Sequence, residues 1–102
     1  FDAPMFRKMK PGSCFINIAR SPIMDAYALK DALDSGRLAG AFVDVYDGEP
    51  CTDSPLISCP NAVLTPHTAP YTEENFAALN EAAAQNVLDY LAGKLPERNR
   101  VV

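Results

Sequence analysis

SCFINIARSPIMDAYALKDALDSGRLAGAFVDVY, residues 13–46, reads as strand, helix, strand, and that reading decides the fold. Residues 13–19 form a mostly apolar run suited to a strand buried on both sides, with Cys14 as a small buried hydrophobe in it. Arg20-Ser21-Pro22 makes a stiff turn. Asp25 stands where it can cap a helix whose Ala26, Leu29, Ala32 and Leu33 share one stripe, and Gly36 ends that helix. A second strand follows over residues 40–46. The small residues Ala39, Gly40 and Ala41 leave room for a helix to lie close against the sheet.

Outward from this unit the alternation continues. Residues 3–9 suit a short helix stopped by Lys10-Pro11-Gly12. Residues 47–60 are a long loop punctuated by Gly48, Pro50, Pro55 and Pro60, with a helical turn around Leu56 as its anchor. Residues 61–65 make a third short strand ended by Pro66-His67. Thr72 is a helix N-cap, with Glu73 and Glu74 suited to the first turn. The helix it opens runs to about Ala92 and stops at Gly93. Phe76, Leu79, Ala83, Asn86, Val87, Tyr90 and Leu91 give that helix an apolar-rich face, and its length suits a bridge to a second domain. Residues 97–102 read as an extended tail.

Strands separated by helix-containing crossovers predict an α/β fold with a mainly parallel sheet. Asp47-Gly48 is followed by Glu-Pro rather than a strand, so it makes no hairpin. Ligands of such sheets sit beyond the carboxyl ends of the strands. Arg20, Glu49 and His67 each follow a predicted strand, which brings them to one edge. Arginine offers a fixed cationic fork for a carboxylate. A carboxylate beside an imidazole makes a proton donor and acceptor suited to neutral pH. Taken singly, each residue has a plainer alternative: an arginine that caps a helix or pairs with Asp25, a solvated loop glutamate, and a structural histidine. Asp44, inside an apolar strand, needs a partner or a place near the open end.

Composition narrows the classes. The 102 residues, 48% hydrophobic and 22% charged, allow one small globular domain. A net charge of −4 with Arg7-Lys8-Met9-Lys10 as the sole basic cluster argues against nucleic-acid binding. Cys14, Cys51 and Cys59 form no CxxC pair, and with one histidine they do not make a zinc site. A reduced, cytoplasmic setting fits these cysteines, and no apolar run reaches the roughly 20 residues that span a bilayer.

The segments MKPGSCFINIARS (9–21), DAYALKDALDSGRLAGAFVDVYDGEP (25–50), PLISCPNAVLTPHTA (55–69) and the TEEN helix from Thr72 resemble, in order and over nearly the whole chain, the D-isomer-specific 2-hydroxyacid dehydrogenases. The resemblance implies a partial Rossmann-like, three-layer α-β-α arrangement: residues 1–92 as the C-terminal portion of a nucleotide-binding domain, its last helix (72–92) crossing to a separate substrate domain, and residues 93–102 as a tail. It also implies hydride transfer between NAD or NADP and a small 2-oxo or D-2-hydroxy acid. Arg20 would hold the substrate carboxylate, His67 would act as acid–base, and Glu49 would support it. Ile18, Ala19, Arg20, Asp44, His67, Thr68, Ala69 and Pro70 would border the cofactor, with Asp44 on the nicotinamide carboxamide; its rival role is a structural hydrogen bond. No metal is required. The family suggests a homodimer.

The chain departs from the family pattern in two ways. Ser21-Pro22 replaces the usual glycine after the arginine, so a demand for positive φ there would reshape the arginine loop. There is no G-x-G-x-x-G and no acidic residue choosing NAD over NADP. The expectation is therefore a fragment lacking an N-terminal part and inactive alone. The alternatives are a non-catalytic, co-repressor-like binding protein or an inactive truncated domain that keeps the fold.

Overall fold

The computed structural model describes residues 1–100. The chain divides into two compact units, residues 1–69 and 70–102. The first holds α1 (Ala3–Lys8), β1 (Ser13–Asn17), α2 (Ala26–Asp34), β2 (Leu38–Val43) and β3 (Ala62–Leu64), and the second is built on α3 (Glu73–Leu91). The strands form one parallel sheet in the order β1-β2-β3. This is the α/β class, in a partial Rossmann-like arrangement.

Local chemistry explains the helices. The Asp2 carboxylate accepts the Met5 amide at the start of α1, and Asp25 accepts the Tyr27 and Ala28 amides at the start of α2. Gly36, at φ +70, turns the chain out of α2, and its amide closes on the Leu33 carbonyl at 3.0 Å. Ala28, Leu29, Ala32 and Leu33 are the buried stripe of α2. They pack with Phe6, Phe15, Leu38, Ala41, Val43 and Leu56 in the core of the first unit. The anchor turn of the long loop is a 3-10 helix over Pro55–Ser58, with Leu56 buried and Ser54 capping it.

Three expectations are corrected. Residues 13–17 are not buried on both sides: Phe15 and Asn17 point into the core, whereas Cys14 and Ile16 are exposed. Phe6 of α1 and the buried stripe of α2 contribute to the same core as Phe15, so the sheet face bearing Ile16 and its register partners Phe42 and Val63 is left open within this unit. Gly40 makes room for the backbone that leads into β3, not for a helix: a Cβ there would stand 3.2 Å from the Asn61 carbonyl oxygen. Ser21 needs no positive φ, because it opens an ordinary 3-10 turn over Ser21–Ile23.

In the second unit Thr72 accepts the Asn75 amide at 3.2 Å, and Gly93, at φ +68, follows the end of α3. Phe76, Leu79, Val87, Leu88, Tyr90 and Leu91 are exposed on this helix. The segment expected to be extended instead makes a 3-10 turn over Glu97–Asn99, tied to α3 by Asn99 Nδ2 donating to Asn86 Oδ1 at 2.9 Å. The rest of that tail, residues 101 and 102, lies outside the described residues. Among the described residues no helix is long and apolar enough to cross a membrane.

Candidate active site

The site stands at the carboxyl ends of the strands, and a buried asparagine shapes its first loop. Asn17, 2% exposed, accepts the Ala19 amide on Oδ1 at 3.0 Å and donates from Nδ2 to the Arg20 carbonyl at 3.1 Å. A buried amide side chain must find such partners, and here they set the backbone from which Arg20 leaves β1. The Arg20 guanidinium is exposed, with Nη1 donating to the Ala19 carbonyl at 2.7 Å.

Glu49 is fixed at both oxygens. Oε1 accepts the Tyr46 amide at 2.8 Å, and Oε2 lies 2.6 Å from His67 Nδ1. The hydrogen bond from His67, helped by the Tyr46 amide, holds the Glu49 carboxyl below the usual glutamate range. An ionised carboxylate at Nδ1 places a proton on that nitrogen and leaves Nε2 as the ring's outward atom. Arg20, Glu49 and His67 border one cleft of about 240 Å³ together with Ser21, Tyr46 and Asp47. The structure thus brings together the residues proposed from the three separate strand ends.

His67 itself is held in an unusual backbone state, φ +56, the one non-glycine residue at positive φ among those described. Its amide donates back to the Thr65 carbonyl at 3.0 Å, across Pro66. Around this turn lies Asp44, fully buried at 0% exposure. Its Oδ1 accepts the Thr65 hydroxyl at 2.5 Å and the Thr68 amide at 2.8 Å, and its Oδ2 accepts the Ala69 amide at 2.8 Å. Burial alone would raise this carboxyl. The Thr65 hydroxyl, the Ala69 and Thr68 amides and the nearby His67 outweigh burial and hold it below the ordinary aspartate value.

The candidate cofactor residues are distributed unevenly. Ile18, Ala19 and Arg20 are exposed after β1, and His67, Thr68 and Ala69 follow β3. Asp44 is not presented at the surface: its three bonds go to its own chain. Pro70 belongs to the second unit, where its carbonyl accepts from Asn75 Nδ2 at 2.7 Å. Asn17, Thr65 and Tyr46 were not singled out by the sequence reading. Asn17 carried a readable signal, an amide inside an apolar strand. The Tyr46 hydroxyl lies 2.8 Å from the Val43 carbonyl and 3.0 Å from the Thr65 carbonyl, tying β2 to the end of β3; no local pattern marks that role.

Comparison with known proteins gives this geometry a family. Residues 1–69, the extent of the first unit, match the model of the D-isomer specific 2-hydroxyacid dehydrogenase NAD binding domain. The chain is 43% identical to glyoxylate/hydroxypyruvate reductase B of Citrobacter koseri over 99% of its own length and 31% of that protein's. It therefore spans about a third of the length of the curated relatives it matches. Among solved structures, an acyclic imino acid reductase in complex with NADPH and D-Arg superposes with a TM-score of 0.80 at 32% identity, over 91% of this chain and 30% of that one. The NAD-complexed D-isomer specific 2-hydroxyacid dehydrogenase of Lactobacillus delbrueckii ssp. bulgaricus gives 0.74 at 32% identity, over 95% and 34%. A parallel sheet with a paired histidine and glutamate at its carboxyl edge, matched by a family model over most of the chain, makes this protein a member of the D-isomer specific 2-hydroxyacid dehydrogenases, within their NAD binding domain.

Proposed function

We propose that this chain supplies the proton-transfer and carboxylate-binding residues of an NAD(P)-dependent oxidoreductase that interconverts small 2-oxo acids and D-2-hydroxy acids. The observation that carries this reading is the 2.6 Å contact of His67 with Glu49 on the border of the cleft that also holds Arg20. Arg20 binds the substrate carboxylate through a directional guanidinium fork. His67 Nε2 gives its proton to the carbonyl oxygen during reduction and takes the hydroxyl proton back in the reverse direction. Glu49 fixes the ring's tautomer and orientation. The dinucleotide, when bound, supplies or accepts the hydride at substrate C2.

The residues present fit only one end of such a cofactor. Ile18 and Ala19 directly precede Arg20 in the chain, Thr68 and Ala69 directly follow His67, and on the reading proposed here they serve the nicotinamide end. The pyrophosphate end finds no match among them, because the amides opening α1 and α2 are already bonded to the carboxylates of Asp2 and Asp25. Helix α3, with Leu79, Val87 and Leu91 exposed, is proposed as the segment leading toward a substrate domain, and a homodimer as the assembly.

The test is NAD(P)H oxidation by the protein carrying this sequence, on a panel of small 2-oxo acids. His67→Gln is expected to lower kcat by about 10²–10⁴-fold, and Arg20→Gln to raise KM for the same acids. Undiminished turnover in His67→Gln would remove the acid–base assignment.

A further inference from the structure

From the contacts around Asp44 we infer that it is a positioning residue for His67: acting through the Thr65 hydroxyl and the Thr68 and Ala69 amides, it holds the histidine in the left-handed backbone conformation that aims its ring at Glu49. The functional meaning rests on the acid–base reading of His67 given above; the geometry does not.

Three facts carry it. First, φ +56 at His67 is a conformation that a residue with a Cβ adopts only when its surroundings impose it. Second, the constraints that impose it converge on one buried group. The donors to Asp44 come from residues 65, 68 and 69, two before, one after and two after the histidine. Third, Thr65 is itself immobilised. Its amide donates to Val43 at 3.1 Å, its carbonyl takes the His67 amide at 3.0 Å, and the Tyr46 hydroxyl lies 3.0 Å from that same carbonyl. The turn Thr65-Pro66-His67 is therefore anchored on both sides to the end of β2 and the residue that follows it, Val43 and Asp44, from which the chain leads on to Glu49.

The carboxylate is suited to this task because it accepts only. Its two oxygens take three donors without offering a hydrogen of its own. An amide in its place would turn a donor toward the loop and leave one backbone N–H facing an N–H. A threonine hydroxyl at residue 65 is likewise needed, and serine supplies the same group.

The chain contains one histidine, so its NMR signals are assigned without ambiguity. The experiment compares wild type, Thr65→Val, Thr65→Ser and Asp44→Asn by two readouts. One is the His67 amide–Hα coupling, which reports φ. The other is the titration of the Glu49 carboxyl, held below the glutamate range chiefly by His67. Asp44, Arg20, Asp47, Tyr46 and Cys51 are the other ionisable groups around this pair, and only Asp44 changes within the series.

Thr65→Ser is expected to match wild type in both readouts. Thr65→Val is expected to change the coupling and move the Glu49 midpoint up toward that of an ordinary glutamate, and Asp44→Asn is expected to change the coupling, while the Leu29 and Val43 signals show an intact core. A folded Thr65→Val with both readouts at wild-type values would overturn the inference. Should Asp44→Asn fail to fold, the valine–serine pair decides. A clasp confirmed in this way, beside an active His67→Gln, would sink the acid–base reading and leave the positioning role standing.

Discussion

Asp44 is a charged group placed where water cannot reach it, and its ionisation therefore couples the loop after β3 to pH. Its folded-state carboxyl lies below the ordinary value of 3.8. A depressed carboxyl contributes stability that is fully present above the unfolded value and is lost as pH falls through the folded one. Asp44→Ala removes the acceptor of three donors, two of them backbone amides. Since each stranded buried donor costs roughly 1–3 kcal/mol, the variant is expected to lose roughly 3 kcal/mol at neutral pH. Urea unfolding at pH 7 and then down toward pH 3 checks both parts: the gap between wild type and variant should narrow only below the aspartate range. A gap independent of pH would mean that the clasp does not depend on ionisation. The sequence announced half of this residue. An aspartate in the run AFVDVY demands donors, yet the donors lie 21–25 residues downstream, a distance no local pattern spans. The meeting of Arg20, Glu49 and His67 on one cleft was legible because each follows a strand; Thr65 and Tyr46 act through carbonyls and hydroxyls that any loop could offer.

At the scale of elements, the ends of the helices were easier to read than the faces of the strands. Helix ends are decided by neighbours in sequence: Asp25 reaches amides two and three residues on, at 2.9 and 3.0 Å, and Gly36 supplies the positive φ that follows α2. An apolar run such as SCFINIA cannot say how many of its faces are covered, because coverage depends on where the helices pack. Here the core-facing residues of β1, β2 and α2 meet on one side, and Cys14 and Ile16 stay open on the other. Asp25→Ala is expected to cost about 1 kcal/mol, and Asp25→Ser or Asp25→Asn only a fraction of that. Equilibrium urea denaturation is the measurement. An alanine variant as stable as wild type would mean that burial of Leu29 and Leu33 alone defines the start of α2.

Across the whole molecule, the distribution of charge at helix ends says how a dinucleotide can be met. A helix N-terminus binds phosphate because its amides are unpaired and its dipole is positive. In this chain the first turns of α1 and α2 face aspartates, and α3 opens with Glu73 and Glu74. A phosphate brought to any of these ends would displace or confront a carboxylate. The adenosine and pyrophosphate part of the cofactor therefore gains nothing from these helix ends, whereas the proposed place for the nicotinamide part is among the residues that follow β1 and β3, of which Ile18, Ala19 and Ala69 are exposed. Nicotinamide mononucleotide and NADH are accordingly expected to shift the amide signals of the same residues, Ile18, Ala19, Thr68 and Ala69, with dissociation constants within about threefold of each other, a difference under about 1 kcal/mol. An NMR titration of the chain with each ligand measures this. If NADH bound more than about tenfold tighter, some cluster in these 102 residues would have to hold the pyrophosphate, and the acidic helix ends would have been misread. If neither ligand moved those four signals, the cofactor edge would have to be sought elsewhere on the sheet, and Arg20, Glu49 and His67 would stand as a carboxylate and proton site without a hydride partner beside it.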